Sequence, residues 1–267
     1  MRFAGLVEYD GAEFAGWASQ PGLRTVESTL SEALRTVLRQ PQAVKLAVAG
    51  RTDAGVHASG QVVSFDIETD LDAPSIAYRT TAALPPDLAL RRCVVVDDAF
   101  DARRSARGRS YEYQVVNAPV RSPLVRRHAS YVARKLDLAL LQQAATLALG
   151  THDFRAFTPA KSYHIRFGRT VTESWWKKRD DLLIYGITAD SFLYGMVRTL
   201  IGTMLEVADG RRDLADCERL LSGALRSEAG PSVLSRGLTL VGVEYDGLDL
   251  ESRLPWTEKI TEASSGT

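Results

Sequence analysis

The sequence predicts an α+β fold of two ferredoxin-like β-α-β-β-α-β units whose mainly antiparallel sheets form a central cleft. Three observations carry this expectation. Short runs alternating with period two interleave with longer apolar runs of period three to four, in the same order in each half of the chain. Capping residues and Gly or Pro breakers stand at the ends of the longer runs. The chain has 267 residues, 45% hydrophobic and 25% charged, enough for one large domain or two ordinary ones with a substantial core. The repeat is one of element order, not of residues.

In the first half, residues 3–9 read as a strand ending at the turn Asp10-Gly11. A loop through Phe14, Gly16 and Trp17 leads to Thr25, an N-cap for a helix reaching Gln40, with Glu27 well placed in its first turn. Val26, Leu30, Ala33, Leu34, Val37 and Leu38 form its apolar face, and Pro41 stops it. Residues 44–48 and 61–67 are strands on either side of a glycine-rich stretch. The second is half-buried, because Val63, Phe65 and Ile67 alternate with Ser64 and Asp66. Pro74 opens a helix to Ala83, Leu84-Pro85-Pro86-Asp87 breaks it, and residues 90–96 are the next strand.

The second half repeats the order. Residues 110–116 alternate as a strand, and Asp137 caps a helix closed by Gly150. Strands over 170–178 and 182–188 flank the turn Arg179-Asp180-Asp181. A long apolar helix is expected over 192–207, a shorter one over 214–221, and a last strand over 238–245. The expected division is an N-terminal subdomain over 1–104, a C-terminal one over 105–248 and a polar, frayed tail over 249–267.

Composition excludes several classes. No apolar run approaches the length of a membrane span, and the first residues form a strand pattern rather than a signal segment. Cys93 and Cys217 stand far apart in apolar surroundings, which argues against a disulfide framework or a zinc site and for a reducing, cytoplasmic location. Basic and acidic residues balance at 33 each, but they are segregated. From 101 to 135 nine basic residues meet only Asp101 and Glu112, a local charge of +7. A second basic group comprises Lys161, Arg166, Arg169, Lys177, Lys178 and Arg179, and the C-terminal tail is acidic. Such a distribution suits a polyanion on one face or, equally, a solvated arginine-rich surface.

The chemistry concentrates in the stretch 49–60, Ala-Gly-Arg-Thr-Asp-Ala-Gly-Val-His-Ala-Ser-Gly. Three glycines free the backbone to approach a ligand, and the loop is longer than a hairpin needs. Asp53 is its leading candidate, as nucleophile, general base or metal ligand. Arg51 beside it would keep a partly buried carboxylate ionised. The metal reading is weak, since only His57 follows at ligand spacing. Tyr111 and Tyr113 share one face of a strand just after the arginines, where rings stack unpaired bases and guanidinium groups hold phosphates, or where both simply pack. Arg103, Arg107 and Arg109 are the substrate-binding candidates of the basic window, with His57 added from the glycine-rich stretch. Arg198, in an otherwise apolar helix, needs an anionic partner, and Asp53 fits. An RNA-binding protein without catalysis and an Asp-dependent hydrolase of a small substrate are the competing classes. The RRM signature expected of the first is missing, and the second leaves the basic windows unused.

The stretch 49–58 resembles the signature of the tRNA pseudouridine synthase A family. The likeness extends through Glu8-Tyr9-Asp10-Gly11, Gly16-Trp17, Leu84-Pro85-Pro86-Asp87, Phe100-Asp101-Ala102-Arg103, Tyr111-Glu112-Tyr113, Gly150-Thr151-His152-Asp153-Phe154 and Met196-Val197-Arg198, so it covers roughly residues 3–246. The resemblance implies the pseudouridine synthase fold and isomerisation of uridine to pseudouridine at positions 38, 39 and 40 of the tRNA anticodon stem-loop. It implies no cofactor, no metal and a homodimer that binds one tRNA. By the same resemblance Asp53 is the nucleophile, Tyr111 packs on the target uracil and acts as a base, Arg51 helps displace the base from the stem, and Arg198 pairs with Asp53. Three places depart from the family pattern: Ala18-Ser19-Gln20 after Trp17, Gly195 and Thr199 around Met196-Val197-Arg198, and Asp101 before Ala102-Arg103.

Overall fold

The computed structural model describes residues 1–160, 165–248 and 250, and within them each half of the chain folds around a central strand. In the first half β1 (Arg2–Tyr9) pairs antiparallel with both β3 (His57–Asp66) and β4 (Leu88–Val96), while β2 (Ala47–Val48) adds to an edge of β3. α1 (Val26–Val37) begins where Thr25 accepts from the Ser28 N–H, and α2 (Ala73–Ala83) where Asp72 accepts from the Ser75 N–H. In the second half β5 (Ala106–Val116) is followed by β6 (Ser130–Tyr131), α3 (Leu138–Leu147) with Asp137 as its cap, and β7 (Gly150–Asp153). β8 (Gly168–Arg179), β9 (Leu182–Ala189), α4 (Met196–Ala208), α5 (Leu214–Leu220) and β10 (Leu238–Tyr245) complete it. The spatial orders β4-β1-β3-β2 and β10-β5-β9-β8 are the same split β-α-β arrangement, so the α+β class and the doubled unit hold.

The two sheets do not stand apart. Among the described residues their strands join into one ten-stranded sheet, β4-β1-β3-β10-β5-β9-β8-β7, with β2 on β3 and β6 on β5. The seam is a short parallel pairing, Thr239 opposite His57 and Leu240 opposite Ala58. It exists because β2 covers β3 only at Val63 and Ser64, leaving the first residues of β3 for β10. Residues 49–56 leave the sheet where one neighbour of β3 gives way to the other. Gly60 permits the close approach there, since a Cβ at that position would lie 2.3 Å from the Val241 carbonyl oxygen.

Several boundaries differ from expectation for local reasons. The strand expected over 44–48 shrinks to Ala47–Val48, and that expected over 61–67 starts four residues earlier, at His57, because β10 pairs with its opening residues. α1 stops at Val37, with Arg39 at φ +52 beyond it. The helix expected from 192 begins at Met196, because Gly195 takes a left-handed φ of +69 and turns 192–194 into an entering loop. Lys161, His164 and the tail over 249–267, apart from Leu250, lie outside the described residues.

One continuous core runs beneath the helices of both halves, from Phe3, Leu30 and Leu34 to Tyr113, Trp176 and Met204. The opposite face of the first sheet is covered rather than open. Ala102 and Phe100 close over Ala4, Leu6 and Val62, and the Ala102 N–H donates to Ser64 Oγ at 3.0 Å. Among the described residues no helix is long and apolar enough to cross a membrane.

Candidate active site

The loop 49–56 is tied down before any of its side chains is placed. Ala49 N–H donates to the Val62 carbonyl at 2.9 Å, Trp17 N–H to the Thr52 carbonyl at 3.0 Å, and Gly55 N–H to the Phe14 carbonyl at 3.3 Å. Gly16 makes that contact possible. It sits at φ +95, and a Cβ on it would meet the Thr52 carbonyl oxygen at 2.9 Å. Thr52 Oγ1 lies 2.8 Å from the Tyr9 hydroxyl, and Gln61 donates from Nε2 to the Gly50 carbonyl at 2.7 Å. Burial pushes the Tyr9 phenol up to about 12, which keeps it a neutral partner for Thr52.

With its backbone held, Asp53 presents a carboxylate whose side chain is 20% exposed. Its Oδ2 accepts from Arg198 Nη1 at 3.1 Å, and its Oδ1 has no hydrogen-bond partner among the described residues. Arg198 lies in the first turn of α4 and is itself fixed: its Nε donates to the Val233 carbonyl at 2.8 Å, while its own carbonyl accepts from the Val233 N–H at 3.1 Å. The arginine in an apolar helix thus meets one carboxylate and one carbonyl, which offsets the cost of leaving water. One oxygen of Asp53 is oriented by a cation, and the other is available to an incoming electrophile.

Tyr111 completes the group through the sheet register. Tyr9, Ala58, Leu240 and Tyr111 lie opposite one another on β1, β3, β10 and β5, so their side chains share a face. The Tyr111 hydroxyl comes within 3.8 Å of where a Cβ on Gly50 would stand, and the Phe192 ring packs edge-on against it at 5.1 Å. Its phenol is held well above the usual tyrosine range, chiefly by burial, with the charges of nearby Tyr9 and Asp53 adding to it. Tyr113, which was expected to share this role, is fully buried and bonded through its hydroxyl to Ser130 and to the Leu234 carbonyl.

The remaining candidates separate by what their side chains touch. Arg51 is exposed two residues from Asp53, and its guanidinium pairs with no described residue. Arg103 is exposed, and Arg107 is exposed and paired with Asp246 at 2.6 Å. Arg109 is buried and spends its guanidinium on the carbonyls of Ala49, Arg103, Ala106 and Asp190, so it braces the start of the Asp53 loop from behind. His57 is also buried. Its Nδ1 accepts from the Gly11 N–H at 3.0 Å, which assigns the proton of the neutral ring to Nε2, facing the carbonyls of Arg127 and Arg236 at 2.9 and 3.1 Å. Burial, followed by the charge of His128, lowers its pKa, while Asp10 opposes them. Both residues link the two halves through backbone contacts and turn no free donor toward the Asp53 opening. Asp101 accepts at Oδ1 from the N–H groups of Arg103 and Arg104, fixing the turn that displays them. Among the described residues no group of three His, Cys, Asp or Glu side chains converges as metal ligands. One participating segment had no sequence signal beyond the punctuation Gly230-Pro231: the chain carrying Val233, which holds Arg198.

Residues 144–246 match a family described as tRNA pseudouridine synthase, a range containing α4 and β10. Over 240 residues the chain is 35% identical to the tRNA pseudouridine synthase A of Acetivibrio thermocellus, covering 90% of this chain and 98% of that protein. It is 35% identical over 248 residues to the corresponding protein of Streptococcus mutans (92% and 99% covered) and 38% identical over 245 residues to that of Methylobacterium nodulans (91% and 96% covered). These alignments span both halves and the loop carrying Asp53.

Proposed function

The chain belongs to the tRNA pseudouridine synthase A family, isomerases that turn uridine into pseudouridine in tRNA, and from that premise we propose that Asp53 is its nucleophile and the anticodon stem-loop, at positions 38, 39 and 40, its target. The observation that supports this most directly is the Asp53–Arg198 pair at 3.1 Å, partly open to solvent, with Tyr111 near enough to feel the Asp53 charge. The rearrangement conserves every atom. The N1–C1′ bond of the nucleoside breaks, the uracil turns, a C5–C1′ bond forms, and the hydrogen at C5 is lost while N1 gains one. A nucleophile is needed to hold the nucleoside between the two bonds, and Asp53 has an unengaged oxygen for it. Arg198 holds the carboxylate oriented through the contact of its Nη1 with Oδ2 at 3.1 Å. Tyr111 serves as the wall on which the uracil packs and as the relay for the C5 proton. It enters as a neutral phenol, releasing its own proton to solvent as it takes the one from C5.

A stacked base must first leave the stem, at a cost of about a few kcal/mol. Arg51, exposed and without an internal partner among the described residues, is assigned to fill or hold open the vacated place, and Arg103 and Arg107 to contact phosphates. We divide the chain into subdomains over 1–104 and 105–248, the first carrying Asp53 and the second Tyr111 and Arg198. We further propose a cytoplasmic homodimer whose joint surface binds one tRNA, on the strength of the family likeness.

The test is Asp53→Asn. The variant is expected to bind unmodified tRNA transcripts with parental affinity and to form no pseudouridine, read by mass-spectrometric mapping of the transcripts. Parental amounts of product at the anticodon stem-loop would remove Asp53 from the nucleophile role.

A further inference from the structure

Residues 230–237 touch both sides of the Asp53–Arg198 pair, although they lie between α5 and β10 and contribute no side chain to it. The segment first runs along α4. Gly230 N–H donates to Thr203 Oγ1 at 3.0 Å, and the hydroxyls of Ser232 and Thr199 are 2.7 Å apart. Pro231 lies directly on Gly202, where a Cβ would come 1.7 Å from its carbonyl oxygen. Val233 then exchanges two hydrogen bonds with Arg198, at 3.1 and 2.8 Å. From there the segment crosses to the loop of the other half. Leu234 accepts from the Tyr113 hydroxyl at 3.0 Å, and Ser235 packs on Gly55, where a Cβ would lie 2.6 Å from its Oγ. The Arg236 carbonyl accepts from His57 at 3.1 Å, and β10 begins by pairing with His57 and Ala58.

We propose that 230–237 is a positioning strap, a single stretch that fixes the Arg198 guanidinium through Val233 and the back of the Asp53 loop through Ser235 and Arg236, and so sets where the guanidinium meets the carboxylate. This rests on the roles given to Asp53 and Arg198 above. An arginine side chain is otherwise free to sample many rotamers. Binding Nε to a fixed carbonyl removes that freedom and leaves Nη1 aimed at Asp53. Among the described residues β3 and β10 share two register pairs at the seam, so a brace bridging α4 and the loop adds to what the sheet alone supplies. Thr199 and Gly202 are the residues of α4 that receive it. The Thr199 hydroxyl is one half of the Ser232 contact.

Two perturbations of different severity test the strap. Gly202→Ala forces Pro231 away from α4, whereas Ser232→Ala removes only the hydroxyl contact and Ser232→Thr restores it. Pseudouridine formation is measured in single turnover at saturating enzyme, beside tRNA affinity and thermal melting. Ser232→Ala is expected to bind tRNA with parental affinity and to lose about tenfold in rate, and a folded Gly202→Ala to lose about a hundredfold. Ser232→Thr should recover the rate, with tRNA affinity unchanged throughout. A Ser232→Ala enzyme with parental rate overturns the strap, as does one whose rate falls only in step with its folded fraction. Should Gly202→Ala not fold, Ser232→Ala alone decides. Asp53→Asn is run alongside. Product from it defeats the assignment on which the strap rests, while an inactive Asp53→Asn with a parental Ser232→Ala defeats the strap alone.

Discussion

Tyr111 illustrates how one residue can belong to the core and to the site at once. Its ring is buried against Phe192, yet its hydroxyl makes no hydrogen bond to a described residue. Tyr111→Phe therefore removes no internal bond and is expected to change unfolding free energy by less than about 0.5 kcal/mol in urea titrations. The single-turnover rate should fall by about a hundredfold if the hydroxyl relays the proton. A parental rate would leave Tyr111 as a packing surface only. Asp53 and Arg198 were legible in the sequence because each is a charged side chain among glycines or apolar residues, and Tyr111 because it alternates on a strand just after the arginines. Arg109 and His57 were less so. An arginine in a basic run reads the same whether it faces phosphate or, as Arg109 does, the carbonyls of its own chain.

At the scale of the element, β3 is the strand on which the site depends, since its first residues carry the seam and the residues before it carry the loop. Gly60 in β3 faces the Val241 carbonyl, where a Cβ would stand at 2.3 Å, whereas Gly242 in β10 has nothing within 4 Å of where its Cβ would be. Gly60→Ala should thus cost about 1–3 kcal/mol or more by prising β10 from β3. Gly242→Ala should stay within about 0.5 kcal/mol of the parent in the same denaturant titration. Equal losses for the two would mean that the seam is not held by that contact. Alternation located β3 but not its first four residues. The glycines of 49–60 signal a turn as strongly as a strand end, and it is pairing with Tyr9 of β1 and with Thr239 and Leu240 of β10, far off in the chain, that makes the opening of β3 a strand.

On the scale of the whole molecule, a neutral chain presents an uneven surface. Arg103, Arg104, Arg121 and Arg126 are exposed and pair with no carboxylate among the described residues, whereas Arg107, Arg127 and Arg134 are engaged by Asp246, Asp10 with Glu13, and Asp209. If the free arginines hold phosphates, Arg103→Ala should lower the slope of log affinity for tRNA against log salt by about 0.7–0.9. Arg109→Ala should instead lower stability, because four carbonyls lose their donor. A slope unchanged by Arg103→Ala would remove that residue from the phosphate contacts. The sequence by itself determined the doubled β-α-β-β-α-β order, the helix caps at Thr25 and Asp137, the helix opened by Pro74, and the residue types of the site. Those follow from periodicity and local backbone chemistry, which act over a few residues. The joining of two sheets into one, the choice of Val233 to hold Arg198, and the division of the arginines into surface and interior were decided only by tertiary structure, because each depends on which distant backbone groups arrive at the seam to satisfy a buried donor or acceptor.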